Sequence, residues 1–242
     1  MKFKSPLIPA RFVNRPNRFL TRVNIDGQIV DSHLPDPGRL QELLLPNAEL
    51  RVQPVPRESK RKTRYTTTMV KSGDIWVSLI SSTANRLAQE WLRSKTIPFF
   101  KNAHILRAEI PYQHHRFDFL LQKNDKPYYL EVKSVTFVDR GVAKFPDAVT
   151  ARGARHATML ATMKRQGIDT GILFVCQRSD VASFTPMWNR DATFAKALFD
   201  AWKTGVEVCC VSAEVSEKGI RYCKEIPVYL SPPDQPDTLI TV

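Results

Sequence analysis

Along the first third of the chain, apolar and polar residues alternate in short runs broken by turn signals, the pattern of half-buried strands. The runs are Arg18 to Ile25, Gln28 to Leu34, Ala48 to Gln53, Tyr65 to Val70 and Asp74 to Ile80, with Asp26-Gly27 joining the first two as a hairpin. Five short strands in this space predict a small barrel of the OB type, a fold that often presents a basic, aromatic-bearing face to single-stranded nucleic acid or an oligosaccharide. Past Ile80 the period changes. Ala84, Leu87, Ala88 and Trp91 recur at helical spacing behind Ser81-Ser82-Thr83, and further helices are predicted from about Ala148 to Lys164 and from Asp191 to Thr204. Apolar strands Thr170 to Cys176 and Val206 to Ala213 alternate with them. The expected organisation is α/β overall. An OB-like, nucleic-acid-binding β-barrel occupies residues 1–80, an α/β domain with a mixed central sheet occupies 81–230, and a proline-containing flexible tail occupies 231–242.

Two apolar strands in the second domain carry charge. Phe117-Asp118-Phe119-Leu120-Leu121 is followed, after a short gap, by Tyr128-Tyr129-Leu130-Glu131-Val132-Lys133. Residues two apart on a strand share a face, so Glu131 and Lys133 lie on one side while Leu130 and Val132 take the other. If Lys123 to Pro127 is a hairpin loop, Asp118 and Glu131 sit on neighbouring strands, placed to hold one Mg²⁺ or Mn²⁺ with Lys133 beside it. Such a cation activates water and polarises a phosphoryl oxygen, and Lys133 neutralises charge growing on the phosphate, which is the chemistry of phosphodiester hydrolysis. Glu90, at the border of the first helix's apolar stripe, is a possible further ligand. The same residues also admit a purely structural reading, a same-face salt bridge between Glu131 and Lys133 with Asp118 at a strand edge. Arg152, Arg155 and His156 open the next helix, with Arg152 and His156 one turn apart, an arrangement suited to gripping a phosphate. Its blander alternative makes Asp147 the helix cap and leaves the basic residues in solvent. His114 and His115 diverge on a strand and read as surface or packing residues.

Charge narrows the partner. The 242 residues carry a formal +12, and residues 1–80 hold 14 Lys/Arg against 7 Asp/Glu. The expected partner is therefore a polyanion, nucleic acid and most readily DNA. Arg18, Arg22 and Arg39 on the barrel and Lys60, Arg61, Lys62 and Arg64 in the Pro-flanked loop after Pro56 are the candidate contacts. No apolar run is long enough to span a bilayer and Met1 to Pro6 lacks a secretory core, so a cytoplasmic protein without a membrane partner is expected. Cys176, Cys209, Cys210 and Cys223 lack metal-site spacing and read as reduced thiols, mostly in the core.

With these pieces assembled, the chain resembles the sugar fermentation stimulation protein family over essentially its whole length. The resemblance rests on Leu34-Pro35-Asp36-Pro37-Gly38-Arg39-Leu40, Ala84-Asn85-Arg86-Leu87, Phe117 to Leu121, Glu131-Val132-Lys133-Ser134-Val135, and Phe145 to His156. It implies an N-terminal OB-like domain, a restriction-endonuclease-like domain of the PD-(D/E)xK type, DNA binding, and a regulatory role in sugar (maltose) metabolism. By position it implies Asp118, Glu131 and Lys133 as the metal and catalytic set, Glu90 as the helix carboxylate, and Arg152 and His156 as support. Asp36 stands where the family usually has Asn, and Arg155 where Lys is common. Two functions follow as expectations: a metal-dependent nuclease, or a non-catalytic DNA-binding regulator on a nuclease scaffold.

Overall fold

The computed structural model describes residues 1–242 apart from 4, 57, 236–238 and 241–242. In the first domain, β1 (Ile8–Asn17), β2 (Leu20–Ile25), β3 (Gln28–His33), β4 (Glu49–Pro54) and β5 (Tyr65–Ser72) run in the order β3-β2-β1-β4-β5, and β3 pairs with β5 to close a barrel. The strand expected over Asp74 to Ile80 is β6 (Ile75–Ser78), which pairs with β5 and extends the sheet outside the closed ring. The fifth barrel strand is β1, which the alternation did not reveal because Pro9 and Pro16 interrupt it; prolines of this kind are confined to strand ends, edges and bulges, and β1 carries register shifts against β2. Asp26 and Gly27 both adopt positive φ, 49° and 86°, as a tight two-residue hairpin requires. Val23, Leu34, Leu50, Val52 and Val70 fill the barrel and Phe12 joins them, whereas Phe19 stands exposed between β1 and β2.

The second domain continues with α1 (Thr83–Arg93), β7 (Ala103–Tyr112), β8 (His115–Lys123), β9 (Lys126–Val135), β10 (Val138–Asp139), β11 (Val142–Phe145), α2 (Ala151–Arg165), β12 (Asp169–Cys176), β13 (Ser183–Pro186), α3 (Ala192–Lys203), β14 (Glu207–Ser216), β15 (Gly219–Glu225), β16 (Val228–Tyr229) and β17 (Leu239–Ile240). Its main sheet has the order β15-β14-β12-β9-β8-β7, parallel where β12 meets β9 and β14 and antiparallel elsewhere. Helices cover both faces, which is why β12 reads as an unbroken apolar run. On one face Leu87 and Trp91 of α1 pack with Leu130, Val132, Leu173 and Val175. On the other, α2 and α3 pack through Leu160 and Leu198 against Ile172 and Phe174. Cys209 joins the first core and Cys210 the second, and Cys176, Cys209 and Cys210 are buried free thiols. A smaller sheet, β10-β11-β13-β16-β17, completes the domain. Leu239–Ile240 pairs with Val228–Tyr229, so that part of the tail expected to be flexible adds a short strand; residues 236–238 and 241–242 lie outside the described residues. Among the described residues no helix is long and apolar enough to cross a membrane.

The barrel is fastened to the sheet domain at its β5–β6 end. Met69 and Trp76 enter the α1-side core, and Ser78 N–H donates to the Gln177 carbonyl at 3.1 Å. The turn of residues 34–40 makes a second joint. Asp36 Oδ1 accepts the Gly38 N–H at 2.8 Å, and Asp147 Oδ2, from the sheet domain, accepts the Leu40 N–H at 2.8 Å. A Cβ on Gly38 would lie 2.9 Å from Asp36 Oδ1 and 3.0 Å from Asp147 Oδ2, so any side chain here displaces the two carboxylates that hold the turn. Asp147 is thus a tether between domains and not the cap of α2; Thr150 caps that helix, its Oγ1 accepting the Gly153 N–H at 3.1 Å.

Burial, with the nearby charge of Asp147, pushes the Asp36 carboxyl up to about 6, against the pull of the Gly38 N–H and Arg15. A carboxyl whose folded pKa is raised weakens the fold as pH climbs from about 4 through 6. Asp36→Asn keeps the acceptor for Gly38 and removes the charge. It is expected to raise stability by about 2 kcal/mol at pH 8 and to leave it unchanged at pH 4, measured by thermal melts at both pH values. A variant that melts at or below the wild-type temperature at pH 8 contradicts this.

Candidate active site

Strands β8 and β9 are joined by Asn124 and Asp125, both at positive φ, which makes the tight hairpin that the sequence implied. Their register runs from Lys123 opposite Lys126 to Phe119 opposite Leu130 and ends there. Beyond that point the side chain of Asp118 serves as acceptor: Oδ2 takes the Val132 N–H at 2.7 Å. Asn85, in the first turn of α1, donates to Oδ1. Asp118 is therefore wedged where the two strands part, fixed by one main-chain and one side-chain donor.

Glu131, one residue before Val132, turns to the α2 side and is only 4% exposed. Its Oε1 accepts Lys133 Nζ at 2.5 Å and His156 Nδ1 at 2.6 Å. Arg152 Nε donates to His156 Nε2 at 3.4 Å, an arrangement that assigns the ring proton to Nδ1 and aims it at the carboxylate. Burial by itself would raise the Glu131 carboxyl, but the His156 hydrogen bond and the Lys133 charge outweigh it and hold Glu131 below the usual carboxylate range. Asp118 goes the other way. Burial, and then the Glu131 charge, push it up to about 6 despite the Val132 N–H and Lys133. The proton affinities of the two carboxyls thus move in opposite directions, as their different partners require.

Glu131 Oε2 is buried and finds no hydrogen-bond partner among the described residues. Lys133 and His156 are spent on Oε1, so Oε2 is open to a further ligand, and a hard divalent cation bound by oxygen ligands is a fitting one. Two carboxylates leave places for a main-chain carbonyl, waters and a substrate phosphate. The donor set therefore fits Mg²⁺ or Mn²⁺, although among the described residues no cluster of three or more His, Cys, Asp and Glu side chains is gathered for an ion.

Glu90 does not join these residues. Its side chain is 49% exposed and pairs with the Met1 amino group at 2.8 Å, because α1 turns its Asn85 edge, and not its Glu90 edge, toward β8. Asn85 was missed as a site residue; its only signal was membership of the Ala84-Asn85-Arg86-Leu87 string. Arg152 and His156 stand where expected. His115, read as a surface or packing residue, lies with its ring 5.5 Å from that of His156, and together with Arg152, Arg155 and His114 it lines a cavity of about 520 Å³ beside the site. Burial and the neighbouring His156 push His115 below its ordinary value, toward the neutral form.

The barrel's basic candidates divide. Arg18 and Arg39 line a groove at the junction of the two domains. Arg22 is exposed and pairs with Asp31 at 3.5 Å. Lys60, Arg61, Lys62 and Arg64 are exposed on the loop between β4 and β5, which lines neither that groove nor the cavity beside Glu131. Arg57 lies outside the described residues.

A closed OB barrel followed by a mixed-sheet domain, with Asp118 and Glu131-x-Lys133 at a strand fork, defines a two-domain α/β protein with a restriction-endonuclease-like second half. Residues 13–79 match the family model described as the SfsA N-terminal OB domain, and residues 82–219 match the sugar fermentation stimulation protein RE domain. The chain belongs to the sugar fermentation stimulation protein family. It is 39% identical over 224 residues to a homolog from Desulforamulus reducens, covering 93% of each chain, and 37% identical over 234 residues to one from Clostridium tetani, covering 95% of this chain and all of the relative. The structure is similar to that of Pyrococcus furiosus SfsA in complex with Ca²⁺, with a TM-score of 0.86 at 25% identity, covering 94% of this chain and 97% of the other.

Proposed function

We propose that this protein is a divalent-metal-dependent nuclease that hydrolyses phosphodiester bonds in DNA. The observation that carries the reading is the pairing of half-buried Asp118 with buried Glu131 at the strand fork, one with its proton affinity raised, the other with a buried oxygen that has no hydrogen-bond partner among the described residues. Carboxylates repel a phosphate backbone unless a cation stands between them, so a surface built only to hold DNA has no physical use for them. The Ca²⁺ complex of the P. furiosus relative supports a divalent-cation site in this family.

Asp118 and Glu131 would hold the ion, which when bound supplies Lewis acidity toward a phosphoryl oxygen and toward water. Lys133, tied to Glu131 Oε1, keeps its ammonium beside the reacting phosphate and offsets charge that builds there. His156 orients Glu131, and Arg152 holds the His156 tautomer. Arg155 and His115, facing the adjoining cavity, contact the next phosphate along the strand. The excess positive charge draws DNA in, and the barrel's Arg18 and Arg39 continue its path.

Pure protein incubated with single- and double-stranded DNA and RNA is expected to cut DNA in Mg²⁺ or Mn²⁺ and to cut nothing in EDTA. The non-catalytic regulator of sugar (maltose) metabolism is the second reading, favoured by the outward position of Glu90, which leaves two protein carboxylates for the ion. It predicts salt-sensitive DNA binding that EDTA does not change, with no cleavage of any of the four substrates.

A further inference from the structure

Where the barrel meets the sheet domain, a cleft of about 320 Å³ opens directly after Lys133, between the strand end Ser134 to Phe137, the loop before α2 and the turn at Asp36. Its apolar lining is Pro37, Val135, Phe137, Phe145 and Pro146, with the exposed Val149 beside them. Much of its polar lining is already spent. Ser81 Oγ donates to the Pro35 carbonyl, Ser134 Oγ accepts from Gln177, and Thr150 Oγ1 accepts from Gly153. Asp147 is spent on Leu40 and Arg190, whereas the second oxygen of Asp36 and the hydroxyl of Thr136 have no hydrogen bond among the described residues. Arg18 lines both this cleft and the basic groove beyond it, where Arg39 also lies. Lys144, the other cation on the lining, is held by Asp139 at 2.8 Å.

We propose that this cleft is a nucleobase subsite, which takes one unstacked base of the bound strand between Phe137, Phe145 and Val149 while Arg18 holds that nucleotide's phosphate. A pocket with two phenyl rings, a free carboxylate oxygen, a free hydroxyl and a guanidinium matches a base carrying one phosphate, and it does not suit a bare phosphate, which the carboxylates of Asp36 and Asp147 repel. The proposal rests on the reading that nucleic acid is the ligand, and its consequence is specific. The base nearest the cut must leave its stack, so the preferred substrate is single-stranded or locally unpaired, where unstacking is least costly.

The test is binding in EDTA, so that it does not depend on cleavage. The full-length chain is titrated with a fluorescent oligothymidylate and with an abasic oligomer of equal length, which keeps every phosphate and lacks the bases. The wild type is expected to bind the base-bearing strand about tenfold more tightly, as one stacked base requires. Val149 is 70% exposed, so Val149→Trp fills the mouth without disturbing a core. It should bring the two affinities within about twofold of each other, with an unchanged melting temperature reporting the intact fold. A second readout is photocrosslinking of 4-thiothymidine in the same strand, expected at residues 134–149. Equal affinity of the wild type for both strands, a difference that survives Val149→Trp, or crosslinks only elsewhere overturns the subsite. Displacement of the strand's base-dependent advantage by micromolar thymidine monophosphate assigns the cleft to free nucleotides and likewise overturns it. A base-dependent difference in a protein that cuts nothing sustains the subsite and defeats the nuclease reading alone.

Discussion

Asp118→Asn is expected to lower Mg²⁺- or Mn²⁺-dependent cleavage by about 10³-fold or more while making the metal-free protein harder to melt. The two effects share a cause. Asp118 is wedged in a half-buried position beside Glu131, and its carboxyl is pushed up to about 6. Because the folded pKa lies above the ordinary one, the folded state gives up stability as pH rises from about 4 through 6, and the loss is complete by pH 8. An amide carries no charge to desolvate. The Asn oxygen can still accept the Val132 N–H, and a flipped Asn85 amide can accept from its nitrogen, so the strand fork is kept. At pH 8 in EDTA the variant should gain about 2 kcal/mol, or roughly 4–8 °C in melting temperature for a chain of this size, and nothing at pH 4. A divalent cation reverses the order. Wild type should gain melting temperature when Mg²⁺ or Mn²⁺ is added, as mass action requires of a ligand bound only by the folded state, and Asp118→Asn should gain little. DNA binding in EDTA should hold or tighten, since one negative charge has been taken from the path of the phosphates. Cleavage that persists in Asp118→Asn, or a metal-induced stabilisation equal to that of wild type, would place the ion elsewhere.

The contrast between Asp118 and Glu90 shows how far a sequence carries such a site. Strand periodicity alone puts Glu131 and Lys133 on one face, and the structure joins them through a 2.5 Å contact. Asp118 was legible because a charge interrupts an apolar strand next to a two-residue hairpin. Helical position is less forgiving. Glu90 and Asn85 both border the apolar stripe of α1, and a rotation set by the packing of Leu87 and Trp91 decides which one meets β8. That rotation is a tertiary fact, and the preference for a carboxylate as ligand favoured the wrong edge. His115 was hidden for a related reason: a strand pattern gives the face a side chain takes, not the helix that will pack across it. In the barrel, Pro9 and Pro16 concealed β1, the strand between β2 and β4. The Asp36 turn was visible as a string, but its partner, Asp147, lies more than a hundred residues away, and only the assembled fold shows that the two carboxylates build one joint.

That joint makes Asp147→Ala the most damaging single change expected for stability. Asp147 is nearly buried. One of its oxygens takes the Leu40 N–H at 2.8 Å, where Leu40 is itself fully buried and held at a φ of 54°. The other takes Arg190 Nη1 at 2.8 Å, and the same guanidinium also donates to the Asp147 carbonyl. Truncation leaves a buried N–H without a partner and a half-buried cation with half its hydrogen bonds, together about 3–4 kcal/mol. Some of this returns, because Asp147 raises the carboxyls of Asp36 and Glu42 and its removal relieves that repulsion. A net loss of about 2–3 kcal/mol remains, or roughly 4–12 °C in melting temperature. Asp147→Asn keeps its side-chain oxygen for Leu40 and leaves Arg190 the main-chain carbonyl while dropping the repulsive charge, so it should cost less than Asp147→Ala, about 1 kcal/mol. Cleavage should follow stability in neither case alone. Asp147 lies three residues before the Thr150 cap of α2, the helix that brings His156 to Glu131, so Asp147→Ala should depress turnover at temperatures where the variant is still fully folded. Melts and single-turnover cleavage of the two variants measure both effects. If Asp147→Ala melts within a degree of wild type, the 34–40 turn is not what locks the barrel to the site.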